Sequence, residues 1–266
     1  MKLLDLSICI VLYRSESVVD RFLHELRQSL ACFHGYEILF YDNSPTDSLR
    51  LIVDTDDYWH DPRNLGFSYA NNELILRAKS NNLLLLNPDV FGFTEEFWDR
   101  TIDYIAREVQ EKVTFVKLLN PDGSHQDCVG EPVSLRRAFR RTPDYSSLTE
   151  RTQISAGIMA FMLTTRAVFA RVGLLDCDYS LYGEDMDWSY RARRQKIELL
   201  YEPTFVLTHL GGASTEGRWS ERDALKRKYL ADDVFIDKHA RGLRWFALKL
   251  LNRIKVLRLR LAVPGK

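Results

Sequence analysis

The 266-residue chain has four cysteines, Cys9, Cys32, Cys128 and Cys177, and no two of them form a CxxC pair. Such scatter argues against a zinc knuckle or a disulfide framework and favours a reducing compartment. Long apolar runs are missing as well. No stretch approaches the roughly 20 apolar residues needed to cross a bilayer. The N-terminal MKLLDLSICIVLY has one lysine and an apolar run broken by Asp5 and Ser7, so it reads as a first strand and not as a signal peptide. There is no GxGxxG, which argues against a dinucleotide oxidoreductase. The segment VLYRSESV is not the glycine-rich, basic phosphate loop of a sugar nucleotidyltransferase. Internal repeats and low-complexity stretches are also lacking.

Net charge is zero, yet the charge is unevenly placed. No acidic residue follows Asp237, whereas nine basic ones do: Lys238, Arg241, Arg244, Lys249, Arg253, Lys255, Arg258, Arg260 and Lys266. The body before them carries 28 basic against 37 acidic residues. An acidic body argues against nucleic acid as a partner. A basic tail points to an anionic surface. With 45% hydrophobic residues, the chain can build a sizeable core.

The first half alternates between two periods. SICIVLY, YEILFYDNS, NNLLLLN and VTFVKLL are apolar runs of strand length. Between them, SVVDRFLHELRQSLACF places Val18, Phe22, Leu26 and Leu30 on one helical face, GFSYANNELILRAKS is helical, and TEEFWDRTIDYIAREV is a helix with Thr94 as N-cap. Strand-helix alternation with fully apolar strands predicts an α/β domain with a mainly parallel sheet covered on both faces. From about 120 to 153 the pattern gives way to a turn-rich, polar and partly mobile excursion containing Arg136, Arg137, Arg140 and Arg141. Order returns with ISAGIMAFMLTTRAVFARVGLLD (strand, then short helix), a helix over 184–195, strand within IELLYEPTFVLTHL, and the charged helix SERDALKRKYLADDVFIDKHA.

Ligands of open α/β sheets bind beyond the carboxyl ends of the strands, so residues just after strands matter most. In NNLLLLNPDV, Pro88 stops the strand and Asp89 stands at its edge, where a carboxylate can hold a hard cation. The same tripeptide also fits an ordinary turn. Asp42, ending the YEILFYD strand, can accept hydrogen bonds from a base or sugar. In DPRNLGF, Asn64 and Gly66 let backbone approach a ligand, while Arg63 suits phosphate oxygens or simple solvation. In YGEDMDWSYR, Glu184, Asp185 and Asp187 crowd a helix start. Capping explains some of that acidity, and general-base chemistry on a hydroxyl is the alternative. His209 ends an apolar strand beside Gly211 and Gly212 and suits a metal or a phosphate.

Taken in order, YDNSPTD, NLGFSYANN, LLLLNPDV, DGSHQ, SAGIMAF, GEDMDWSYR and LTHLGG resemble glycosyltransferase family 2, and most of all the bacterial rhamnosyltransferases of O-antigen and lipopolysaccharide synthesis. The resemblance covers roughly residues 5 to 240. It implies a GT-A fold with a nucleotide-sugar-binding half over 1–120, an acceptor-binding and catalytic half over 121–237, and a basic amphipathic tail over 238–266. NPD matches the family's Asp-x-Asp metal motif with Asn87 in first place, leaving Asp89 as the carboxylate on Mg2+ or Mn2+. The resemblance further implies that Asp42 meets the base, that Val11 and Tyr13 flank it, and that Asn64, Gly66 and Phe67 contact the donor. Asp185 matches the catalytic base, with Glu184 orienting it or binding an acceptor hydroxyl, and His209 completes the metal or diphosphate site.

The implied reaction is inverting transfer of a sugar, L-rhamnose from dTDP-L-rhamnose as the first choice, to a hydroxyl of a cell-surface glycan or lipid-linked acceptor. A UDP-hexose transferase, a sugar nucleotidyltransferase and a non-catalytic carbohydrate-binding protein are the alternatives. In the tail, Leu243, Ala247, Leu250, Ile254, Leu257 and Leu261 recur at alternating steps of three and four among arginines and lysines. That pattern predicts a helix lying on an anionic membrane, expected at the inner face of the cytoplasmic membrane, or else a helix packed on the protein.

Overall fold

The computed structural model describes residues 4–55, 57–108, 111–135, 137, 144–179, 182–211 and 220–261. The chain begins with β1 (Leu6–Leu12), α1 (Val19–Ser29), β2 (Tyr36–Asp42), α2 (Arg50–Val53), β3 (Tyr58–His60), α3 (Phe67–Arg77) and β4 (Asn82–Leu86). There follow β5 (Val90–Phe91), α4 (Glu95–Glu108), β6 (Lys112–Leu119), and the short β7 (Val129–Gly130), β8 (Thr152–Gln153) and β9 (Ala156–Gly157). The chain continues through β10 (Phe161–Thr165), α5 (Arg166–Val172), α6 (Glu184–Arg194), β11 (Glu198–His209), α7 (Glu221–His239) and α8 (Gly242–Leu261).

Among the described residues the main sheet runs β3-β2-β1-β4-β10-β6-β11-β5, with β8 beside β11, and a two-stranded ribbon pairs β7 with β9. The expected α/β fold is present. β3, β2, β1 and β4 are mutually parallel, as are β6 and β11. The sheet is nonetheless mixed, because β10 runs antiparallel to both β4 and β6. The cause is topological. β6 ends at the carboxyl edge, and β10 re-enters there, with Phe161 opposite Leu86 and Thr165 opposite Asn82, so it must run back down the sheet.

The four leucines of β4 are almost fully buried between β1 and β10. Each such side chain contributes about 1.5–3 kcal/mol of burial. Phe22, Leu26 and Leu30 seat α1 on the sheet as their spacing predicts. Thr94 Oγ1 accepts the Phe97 N–H at 3.1 Å and caps α4. Arg136, Arg140 and Arg141 of the polar excursion, and Gly212, lie outside the described residues.

Near its middle β11 changes register against β6 between Glu202 and Val206, around Pro203. A proline cannot donate to the ladder and sits in strands at such irregularities. Beyond it the strand continues to His209, which pairs with Val90 of β5. α7 and α8 form a hairpin whose own small core contains Phe235, Ile236, Ala240 and Leu248.

Candidate active site

The carboxyl ends of β1, β2 and β3 are tied into one rim. The Arg14 N–H donates to Ser44 Oγ at 2.8 Å, and the Asn43 side-chain amide donates to the Gly66 carbonyl at 3.3 Å. Val11, Tyr13, Asp42, Asn64, Gly66 and Phe67 thus lie along a single edge. Asn64 and Gly66 adopt positive φ, 49° and 95°, and this turn aims the α3 N-terminus, beginning at Phe67, at the rim. Exposed N–H groups and the helix dipole make such a terminus suited to anionic ligands.

Asp42 is fully buried. One of its oxygens accepts the Ser44 N–H at 2.8 Å and the other accepts the Tyr58 hydroxyl. In this arrangement it holds the rim together. Arg63 is folded back onto Asp61, donating from Nε at 2.9 and 3.0 Å and from its backbone N–H at 3.0 Å. That guanidinium and N–H hold the Asp61 carboxyl down to about 2. Asp61 and Tyr58 escaped the sequence reading. Tyr58 meets Asp42 across two strands, which no local pattern displays, whereas the Asp61–Arg63 pair, two residues apart in one turn, was open to local reading.

Asp89 and His209 meet because β5 pairs with β11. The Leu210 N–H donates to the Asp89 carbonyl at 3.0 Å, and the His209 Nε2 lies 3.2 Å from Asp89 Oδ1. Both side chains are nearly buried. The other ring nitrogen, Nδ1, is 2.7 Å from Gln126 Oε1. The Gln126 amide can point only one way, since its Nε2 donates to Asn120 Oδ1 at 3.0 Å and to the His209 carbonyl at 3.2 Å. Its oxygen therefore accepts, and His209 Nδ1 carries the proton. The other nitrogen, Nε2, faces the Asp89 carboxylate, a contact that a proton on Nε2 or a cation between the two can bridge. The donor set, one carboxylate oxygen and one imidazole nitrogen oriented from behind by an amide, fits a divalent cation completed by phosphate oxygens and water. Among the described residues no group of three or more His, Cys, Asp or Glu could hold a metal alone. Asn87 sits at the end of β4 with its N–H donated to the Ala160 carbonyl at 2.9 Å. Gln126, part of the DGSHQ segment, was missed as a site residue because its partner lies on β11.

Glu184 and Asp185 open α6 directly after Tyr182 and Gly183, which have φ of 68° and 95°. A Cβ at Gly183 would stand 2.9 Å from the Ala231 Cβ of α7, so only glycine lets the two segments close. Asp185 Oδ1 accepts the Met186 N–H at 2.7 Å. Glu184 Oε2 is buried and has no hydrogen-bond partner. Burial, with the charge of Asp185 added, pushes the Glu184 carboxyl up to about 8. Burial raises Asp185 too, opposed by the Met186 N–H and by Lys228. Burial thus raises both carboxyls of the pair, so together they hold a proton more readily than free carboxyls do. Asp187 has a different role. It is buried and accepts from Arg191 Nε at 2.7 Å, Tyr179 at 3.3 Å and His239 Nε2 at 2.6 Å, which ties α6 to the end of α7.

The segment over 156–160 touches both halves of the site. β9 packs against α6, and the Ala160 carbonyl binds the N–H of Asn87.

Residues 7–117 match the family model described as Glycosyl transferase family 2. A curated relative, the low-salt glycan biosynthesis hexosyltransferase Agl10 of Haloferax volcanii, is 27% identical over 203 residues. That alignment covers 73% of this chain, which spans only 64% of the relative's length. Among solved structures, the mannosyltransferase PcManGT from Pyrobaculum calidifontis, in complex with GDP-Man and Mn2+, superposes with a TM-score of 0.61 at 12% identity, over 98% of this chain and 71% of that one. TarS of S. aureus gives 0.58 at 13%, over 97% of this chain and 43% of that one. GalNAc-T7 with UDP, GalNAc and Mn2+ gives 0.57 at 18%, over 96% and 54%. At these identities the structural matches speak for the fold, which is GT-A-like. The family match over residues 7–117 takes in the rim from Val11 to Asp89.

Proposed function

We propose that the protein is an inverting glycosyltransferase that moves a sugar from a nucleoside diphosphate to a hydroxyl. The observation that carries this reading is the Asp89–His209–Gln126 arrangement, which fits a cation-bound diphosphate, with Asp185 at the start of the helix that packs on β9 and β11. The rim from Val11 to Phe67 receives the nucleoside, with Tyr13 beside the base and the α3 N-terminus toward the phosphates. A divalent cation, Mg2+ or Mn2+, held by Asp89 and His209 would neutralise the charge growing on the departing diphosphate. Asp185 takes the acceptor hydroxyl's proton as that oxygen forms its bond to the anomeric carbon. The bond from that carbon to the diphosphate breaks on the opposite side, so the configuration inverts. Glu184, next to Asp185 in the chain, orients it or binds an acceptor hydroxyl.

For the donor we favour dTDP-β-L-rhamnose, giving an α-L-rhamnoside, on the order of motifs from YDNSPTD to LTHLGG. The hexosyltransferase named among the relatives favours a UDP-hexose as the second reading. The acceptor in this proposal is a cell-surface glycan or lipid-linked glycan at the inner face of the cytoplasmic membrane. Calorimetric titration with dTDP, UDP and GDP, with and without Mg2+ or Mn2+, beside Asp89→Ala, tests it. Tightest binding of dTDP, with a cation effect lost in Asp89→Ala, supports rhamnosyl transfer. Preference for UDP keeps the transferase and discards rhamnose. Failure to bind any of the three would sink the nucleotide site itself. Cation-dependent binding without sugar release from the matching donor would point to a non-catalytic binder.

A further inference from the structure

α8 has two unlike faces. One packs on α7 through Trp245, Leu248 and Asn252, with the Asn252 amide donating to the Tyr229 carbonyl at 2.8 Å and to Asp233 Oδ1 at 2.9 Å. The lysines turn to this side. Lys249 pairs with Asp237 at 2.8 Å and with Asp233 at 3.3 Å, and Lys255 approaches Asp232 at 3.9 Å. The opposite face is apolar and open. Leu243, Phe246, Leu250, Ile254 and Leu257 are exposed by 89, 66, 61, 38 and 54%. At about 100° per residue these five fall within one arc of roughly 80°. Arg253 borders that arc on one side, Arg258 and Arg244 on the other, and all three are exposed. None of these arginines has an ion-pair partner among the described residues, and the helix carries no acid.

We propose that this face of α8 is a docking surface for an anionic lipid bilayer. An apolar stripe flanked by cations matches an interface in which acyl chains lie beneath negatively charged headgroups. A second copy of the chain fits worse. An isologous contact would set the arginine borders against themselves, where like charges repel. Partition of the charges supports the assignment, because α7 neutralises Lys249 and Lys255 while Arg244, Arg253 and Arg258 stay exposed. No helix among the described residues is long and apolar enough to cross a membrane. α8 reaches the site through α7, whose Ala231 abuts Gly183 at the foot of the Glu184–Asp185 pair. The surface goes beyond the transferase reading and does not depend on it.

The test is co-sedimentation of the full chain with phosphatidylcholine vesicles with and without phosphatidylglycerol, at physiological salt. Two double variants accompany it, Phe246→Ser with Leu250→Ser and Arg253→Glu with Arg258→Glu. All four side chains are exposed, so circular dichroism should match the parent. Wild type is expected to pellet with the phosphatidylglycerol vesicles only, and each double variant to lose about 10-fold or more in vesicle affinity. Absence of wild-type binding, or binding that both variants retain, overturns the proposal. So does a wild-type dimer in sedimentation equilibrium that Phe246→Ser with Leu250→Ser converts to monomer. Nucleotide binding measured on the same preparations separates the two readings. If nucleotides bind and vesicles do not, only the docking surface falls. If vesicles bind and nucleotides do not, the docking surface stands and the transferase reading falls.

Discussion

Replacing Glu184 by glutamine should make the folded protein more stable at neutral pH. In the folded state burial and the neighbouring Asp185 lift the Glu184 carboxyl from 4.5 to about 8. A carboxyl raised on folding favours the folded state fully below its unfolded value and loses that contribution as pH climbs to its folded value. Between 4.5 and about 8 the unfolded chain releases a proton that the folded chain keeps, so stability falls by at most ~1.4 kcal/mol per pH unit. Glu184 is partly open to solvent, which screens some of this. The accumulated difference by pH 8 is therefore expected at about 2–3 kcal/mol. Glutamine copies the shape of the protonated acid and cannot ionise, so Glu184→Gln escapes the loss. Urea unfolding followed by tryptophan fluorescence at a series of pH values reads the effect. The two proteins should be alike near pH 4.5, diverge through pH 8 in favour of the variant, and run parallel above it. Parallel curves across the whole range would mean that Glu184 is ionised at no cost in the native site. The upward shift of the Glu184 carboxyl, and with it the burial of that charge in the site, would then be lost.

Gln126→Ala frees the His209 ring to change tautomer, and the divalent cation's effect on nucleotide binding should weaken by about 10–100-fold, measured by cation titration. Asp187→Ala strands Arg191 and His239 without their carboxylate and should lower stability by about 3–5 kcal/mol in urea unfolding. His239→Ala leaves the Arg191–Asp187 pair intact and should cost less, so equal losses would contradict the network as described. Gly183→Ala meets both a φ of 95° and the Ala231 methyl at 2.9 Å, and a fall in Tm corresponding to at least ~1–3 kcal/mol is expected.

Much of the fold is legible in local pattern. The strand lengths of SICIVLY and NNLLLLN, the helical spacing of Phe22, Leu26 and Leu30, and the Thr94 cap all appear where the sequence places them. Side-chain periodicity and capping act over a few residues, so they can be read without the fold. The tail shows the limit of this reading. Its apolar repeat correctly marks a helix, but the basic residues described there do not share one face. Acids on α7 and in the loop before α6 engage Lys238, Lys249 and Lys255, and only the packed hairpin reveals which cations remain for the outer face.

The site divides in the same way. Sequence alone marks the candidate positions, among them the strand end at Asn87-Pro88-Asp89 and the helix start at Glu184-Asp185. Local pattern, without the family resemblance, does not tell Asp185 from Asp187, two residues apart on one helix and about 200° apart around its axis, where one is a candidate base and the other a buried tie to Arg191 and His239. Nor does it bring His209 and Gln126 to Asp89, or reverse β10 within the sheet. Local sterics and hydrophobic spacing determine which elements form. The partner of each buried polar group is decided by strand order, register and the break at Pro203, which depend on residues far apart in the chain and exist only once the sheet has closed.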